Sequence, residues 1–163
     1  MAEGGEYRVG DVEIWYDVAE FESLVERARL LPAGDWRTED LWQRAVDLYQ
    51  GDFLVDVARS WCVARRESLR DAYIEALMGL ARGCEARRNP DRAVDWYRQA
   101  LAVDELREDV HRRLIRCFEA TGRRSDALGQ YARCRDVLRD ELGVEPEEET
   151  QALYRRIAGK GAD

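Results

Sequence analysis

The chain has 163 residues with a net charge of −8, and 45% of its residues are hydrophobic and 37% charged. A chain of this length is long enough for one domain with its own core. Its negative net charge argues against nucleic-acid binding by this chain itself. No run of eighteen apolar residues is present and residues 1–6 lack the apolar core of a signal peptide, so we expect no membrane span and a cytoplasmic protein.

The first part of the chain predicts an extended segment and one helix pair. Residues 1–13 are predicted to be extended, because apolar and polar residues alternate there. From Asp17, apolar residues recur at steps of three and four, which predicts a helix. Thr38 is predicted to cap a second helix, which ends at Gly51. Residues 52–64 are too apolar for a free loop, so we expect them to pack back onto this pair.

The rest of the chain predicts five more helices. The first of these runs over about 65–88, the second begins at Pro90 and the third begins at about Glu108 after a break. The fourth ends at about Leu142, and the fifth begins at Pro146. Asn89 is a favourable N-cap residue, and Pro90 after it suits the first helical position. Gly122 suits the left-handed conformation that ends a helix. The last helix is predicted to cap the open end of a stack.

A 34-residue period links the middle helices. Three residues return at this interval: Leu80 as Leu114, Ala93 as Ala127 and Tyr97 as Tyr131. The period is that of tetratricopeptide repeats (TPR). The alanines allow two helices to approach closely, the tyrosines fill the wedge between successive pairs, and the leucines come from the facing helices. Residues 14–160 therefore predict an all-α, TPR-like right-handed superhelix of about three helix pairs plus a capping helix.

A stack of this kind has a concave side lined by the first helix of each pair. By register, its exposed inner positions are Glu75, Met78, Arg82 and Glu85 on one helix, then Asp109, Arg112, Arg116 and Glu119 on the next. We expect Met78 and the three arginines among them to contribute to a groove for a peptide or helix of a partner, in which the arginines read anionic groups. The alternative is that these side chains only solvate the face.

No residue pattern predicts catalysis, a metal or a cofactor. The four cysteines, at 62, 84, 117 and 134, lack the spacing of a zinc site and are predicted to be buried and reduced. His111 is the only histidine and falls at a packing position beside Leu114, which predicts a structural role. No nucleophile has a visible activating partner, so the sequence predicts that the protein is not an enzyme.

Several blocks of the sequence resemble one family in order and spacing. They are 17–22, 45–54, Trp61, 65–69, Glu108, 111–115, 122–123, 127–128, Tyr131, 141–146 and 149–150. The chain resembles the bacterial transcriptional activator domain of the SARP and OmpR-type antibiotic regulatory activators. The resemblance implies an all-α repeat fold, no catalysis, and transcription activation through self-association or contact with regulatory domains or RNA polymerase subunits. It also implies that a separate winged-helix domain binds DNA, and residues 7–9 resemble its last strand.

Two other functions stay open from the residues alone. A free-standing TPR adaptor or scaffold would use the same concave side. A module that senses an anionic ligand would hold it in the arginine-lined groove, although no Gly-rich phosphate loop is present.

Overall fold

The computed structural model describes residues 17–52 and 59–159, and the regular structure in these ranges is entirely helical. The helices are α1 (Asp17–Arg29), α2 (Trp36–Leu48), α3 (Ser60–Ala86), α4 (Pro90–Val103), α5 (Glu108–Ala120), α6 (Arg124–Leu142) and α7 (Glu148–Gly159). Three pairs, α1–α2, α3–α4 and α5–α6, stack in chain order, and α7 packs on the last pair. The all-α, TPR-like architecture predicted from the sequence is thus confirmed. The expected extended segment, residues 1–13, lies outside the described residues.

Local capping signals explain several helix ends. The Asn89 side chain accepts a hydrogen bond from the backbone N–H of Arg92 at 3.3 Å, and Pro90 follows at the first helical position, as predicted. Gly122 and Gly143 have φ values of 72° and 70°, the left-handed conformation that closes α5 and α6. The carbonyls at the ends of these two helices therefore find partners in the next turn of backbone.

Two predicted helix starts are wrong. The N-cap of α2 is Asp35, which accepts from Arg37 N at 2.9 Å, and Thr38 is instead buried with its hydroxyl donating to the Pro32 carbonyl at 2.9 Å. Helix α3 begins at Ser60 rather than near Arg65, so the last five residues of the expected insertion belong to it, whereas residues 53–58 lie outside the described ranges. The error at α2 arose because two polar cap candidates lie close together, and the error at α3 because its N-cap, Arg59, makes no side-chain capping hydrogen bond.

The core consists of two adjoining clusters of apolar side chains. One lies between α1, α2 and the middle of α3, and the other joins α3 to α7. The six residues of the 34-residue period are all buried, as are all four cysteines: Leu80, Ala93, Tyr97, Leu114, Ala127, Tyr131, Cys62, Cys84, Cys117 and Cys134. The repeat positions therefore lie at the contacts between helices.

One close approach between α2 and α3 requires a glycine. The Trp42 indole lies directly against Gly79, so that a Cβ placed at Gly79 would be 2.4 Å from Trp42 Nε1 and 2.6 Å from Cδ1 and Cε2. Both residues are buried. The absence of a side chain at Gly79 thus makes room for the indole ring and allows the first helix pair to pack closely against the second.

Candidate partner-binding groove

The first helix of each pair faces one side of the stack, and a groove runs along it. Residues of α1, α3 and α5, with Arg107 just before α5, enclose a cavity of about 830 Å³. Its apolar lining is small and comes from Val25, Ala64, Ala72 and Met78. Met78 is 9% exposed and presents only an edge to the cavity. The groove is therefore long and mostly polar, a shape that suits a helix or extended peptide better than a compact apolar ligand.

Charged side chains dominate the groove, and most of them are acidic. Six carboxylates and three guanidinium groups belong to its described lining: Glu22, Glu26, Glu67, Asp71, Glu75 and Asp109, with Arg29, Arg82 and Arg107. Glu26 and Glu67 make no ion pair with any described residue. Arg82 is likewise unpaired in the described part of the chain. The groove therefore carries an excess of negative charge.

Ion pairs inside the groove join α1 to α3 through Arg29 and Glu75, and the start of α5 to α3 through Arg107 and Asp71. Arg29 on α1 donates to both carboxylate oxygens of Glu75 on α3, at 3.0 and 3.1 Å from its Nε. Arg107 donates to Asp109 at 3.0 Å through both Nε and Nη2. Burial acts to raise the pKa of Asp109 and is the largest single effect, but the hydrogen bonds and charge of Arg107, together with backbone N–H groups, outweigh it, so that the pKa is lowered and the carboxylate stays charged.

The four residues expected in the groove do not lie together. Met78 and Arg82 line the cavity, whereas Arg112 and Arg116 lie outside its lining and face α7. Arg112 donates to Glu147 at 2.8 Å and to Thr150 Oγ1 at 3.1 Å, and its side chain is only 14% exposed. Arg116 donates to Glu149 at 2.7 Å. The acidic first turn of α7 thus pairs with both arginines.

Helix α7 is held by polar contacts along its length and by buried apolar side chains. Besides the Arg112 and Arg116 pairs, Arg156 donates to Glu119 at 2.6 Å, and Arg124 donates to the carbonyls of Ile157 and Ala158 at 3.1 and 2.9 Å. Leu153 and Ile157 add the buried apolar contacts. The capping helix predicted from the sequence is thus confirmed, and it also covers the C-terminal end of the inner face, which the register of the repeats does not reveal.

The single histidine is a packing residue. His111 is buried, its Nε2 donates to the Glu105 carbonyl at 3.0 Å, and its Nδ1 accepts from Gln130 Nε2 at 2.6 Å. Burial lowers the pKa of His111, with a smaller opposing effect from the Glu105 hydrogen bond, so the neutral ring joins α5 to α6. Among the described residues no group of histidines, cysteines and carboxylates could hold a metal ion.

The register of the repeats placed Glu75 and Asp109 on the inner face but missed the other four carboxylates of the groove. Of these, Glu26, Glu67 and Asp71 are exposed and lie beside the apolar stripes of α1 and α3 rather than in them. Extending the 3.6-residue register of the buried positions to the neighbouring face would have identified them. No helix in the described ranges is long and apolar enough to cross a membrane.

Comparison with known proteins gives a consistent match. The family model described as the bacterial transcriptional activator domain matches residues 16–158. Regulatory protein AfsR of Streptomyces coelicolor is 33% identical over 165 aligned positions, which cover 96% of this chain and 16% of AfsR. Transcriptional regulator RedD of the same organism is 32% identical over 130 positions, covering 79% of this chain and 36% of RedD. The chain thus spans about a sixth to a third of the length of these relatives.

A solved structure shares the architecture. Mycobacterium tuberculosis EmbR, in complex with a low-affinity phosphopeptide, superposes with a TM-score of 0.70 at 25% sequence identity. The superposition covers 88% of this chain and 38% of the EmbR chain.

Proposed function

This chain belongs to the bacterial transcriptional activator domain family, and from that membership we propose that it acts without catalysis, by docking proteins on its concave groove. The partners would be a second copy, another domain of the regulator or an RNA polymerase subunit. DNA binding would come from a separate winged-helix domain. A protein of this role would work in the bacterial cytoplasm.

One observation carries this proposal: the unpartnered faces of α1, α3 and α5 enclose a groove of about 830 Å³. The ion pair between Arg29 and Glu75 holds α1 against α3, so the groove is formed before any partner arrives. A preorganised surface loses less conformational entropy on binding. EmbR, which this chain matches over 38% of its length, was solved in complex with a phosphopeptide.

The charge of the groove indicates the chemistry of its occupant. Glu26 and Glu67, which make no ion pair with the part of the chain that the structure describes, and the largely exposed Asp71 favour a partner segment rich in Lys or Arg. Arg82 and Met78 lie together on α3, where they offer one anion contact and one apolar contact. An anionic ligand would meet net repulsion in the same place, so the geometry favours protein recognition over the sensing of a nucleotide.

The proposal is tested by binding measurements with matched charge reversals. The groove variant carries Glu26→Lys, Glu67→Lys and Asp71→Lys. The control variant carries Asp47→Lys, Asp95→Lys and Glu141→Lys, which are exposed positions on α2, α4 and α6 with the same change in net charge. Binding of each chain to purified RNA polymerase subunits is measured by biolayer interferometry, and self-association by sedimentation velocity.

We expect the unmodified chain to bind at least one polymerase subunit or a second copy of itself. The groove variant should weaken that affinity tenfold or more, and the control variant less than threefold. Equal losses in both variants would mean that total charge, rather than the groove, controls binding. A chain that is monomeric and binds no subunit would refute docking of these partners.

A further inference from the structure

A second surface, with exposed large apolar side chains, lies at the connection between α1 and α2. Leu30 is 84% exposed and Trp36 is 75% exposed, the two highest values among the large apolar side chains of the described residues. Between them is a cleft of about 400 Å³ with Leu31 and Leu41 in its lining. Exposed apolar residues that cluster in this way mark interaction sites more often than isolated ones do.

The backbone that presents these side chains is firmly held. The Thr38 hydroxyl donates to the Pro32 carbonyl at 2.9 Å, and Asp35 caps α2 through Arg37 N at 2.9 Å. The Asp35 N–H also donates to the Pro32 carbonyl at 3.3 Å. The exposed leucine and tryptophan are thus fixed at the two ends of a short, hydrogen-bonded turn, where they serve no packing contact of the repeat itself.

One of the arginines that line this cleft is left without an ion pair. The lining contains Arg27, Arg37 and Arg44 with one carboxylate, Asp40. Arg37 pairs with Asp35, and Arg44 with Glu20 and Asp40, whereas Arg27 makes no ion pair within the described ranges. An incoming carboxylate therefore has a free guanidinium to meet beside an apolar surface.

We propose that the Leu30–Trp36 cleft is a second docking surface, separate from the concave groove, and that it takes an acidic amphipathic segment of a partner protein. Apolar side chains of that segment pack between Leu30 and Trp36, and its carboxylates pair with Arg27. A second copy of this chain fits less well, because its own Leu30–Trp36 cleft would present Arg27, rather than an unpaired carboxylate, to the Arg27 of the first copy.

Selection from an unbiased peptide library tests this chemistry. Random 16-residue peptides displayed on phage are selected on the 163-residue chain, with counter-selection on Trp36→Ala, and enriched peptides are synthesised and titrated by fluorescence anisotropy. We expect enriched peptides to be net acidic with large apolar residues. Trp36→Ala should weaken their binding at least tenfold and Arg27→Ala at least threefold. Leu142→Ala, at an apolar side chain 56% exposed on α6, should leave binding unchanged.

The outcomes separate this surface from the groove and from self-association. Peptides with no preference for the unmodified chain over Trp36→Ala, or peptides that are neutral or basic, would overturn the proposal. Dimers that Trp36→Ala converts to monomers in sedimentation velocity would assign the cleft to a second copy instead. Because the groove charge reversals leave the cleft intact, peptide binding should persist in that variant whether or not the groove docks a partner.

Discussion

Gly79→Ala should destabilise the protein although alanine is the better helix former. In α3 the substitution places a methyl group 2.4 Å from Trp42 Nε1 and 2.6 Å from two ring carbons, well inside contact distance. The indole is rigid and buried, so it cannot move aside as a flexible side chain would. The new methyl group must therefore push the first helix pair away from the second.

The expected size follows from two opposing contributions. Overpacking of a closed core costs about 1–3 kcal/mol, and an overlap of this depth against a ring is at the upper end of that range. Alanine in place of glycine in a helix interior contributes about 1 kcal/mol in favour of folding. The free energy of unfolding should thus fall by about 2 kcal/mol, which lowers the melting temperature by about 4–8 °C for a domain of this size.

Urea titration followed by circular dichroism measures this change, and two comparisons isolate its cause. Gly129→Ala on α6, where an added Cβ meets nothing within 4 Å, should stabilise the chain by up to about 1 kcal/mol. In a Trp42→Ala background the ring is gone, so Gly79→Ala should become stabilising. A Gly79→Ala protein as stable as the unmodified chain would refute the reasoning.

Three further predictions concern a helix end, the histidine and the capping helix. Arg88, at the end of α3, has φ 57°, a conformation that glycine adopts more easily than arginine. Arg88→Gly should therefore raise the free energy of unfolding by about 1 kcal/mol, measured by urea titration. An unchanged free energy of unfolding would show that this conformation is unstrained. Burial lowers the pKa of His111 below 6.5, so the unfolded chain binds a proton that the folded chain excludes. The contribution of His111 to the free energy of unfolding should be complete above about pH 6.5. As the pH falls from there to the lowered pKa of the folded state, it should decrease by up to about 1.4 kcal/mol per pH unit. Urea titrations of His111→Gln at several pH values should lack this decrease, and a pH dependence equal to that of the unmodified chain would contradict the reasoning. Arg112→Ala removes the ion pairs to Glu108 and Glu147. Amide hydrogen exchange in α7 should therefore accelerate roughly tenfold, while exchange in α3 stays unchanged. An equal change of the exchange rates in both helices would contradict the role of this arginine.

The repeat could be predicted from the sequence because small and aromatic side chains recur wherever the same helix contact recurs. Ala93 and Tyr97 return as Ala127 and Tyr131, and that spacing alone indicated paired helices. Caps that combine two signals were also predictable, as at Asn89 and Pro90. The start of α2 was not, since Asp35 and Thr38 are both good caps and only the burial of Thr38 decides between them.

The groove was harder to predict because its composition depends on which helix covers which face. Register correctly placed Met78 and Arg82 on one face, but it could not show that α7 would turn back and pair its glutamates with Arg112 and Arg116. The contact between Trp42 and Gly79 was missed for a similar reason. Two residues 37 positions apart give no periodic signal, although a glycine in mid-helix was itself an indication of close packing.

The docking role of the concave side can be measured directly by hydrogen–deuterium exchange of the chain alone and in complex with the polymerase subunit or second copy that binds it. Slower exchange is expected in the groove-lining segments of α1, α3 and α5, with α4 and α6 unchanged. Protection confined to α4 and α6, or no protection in a saturated complex, would contradict partner binding in the groove.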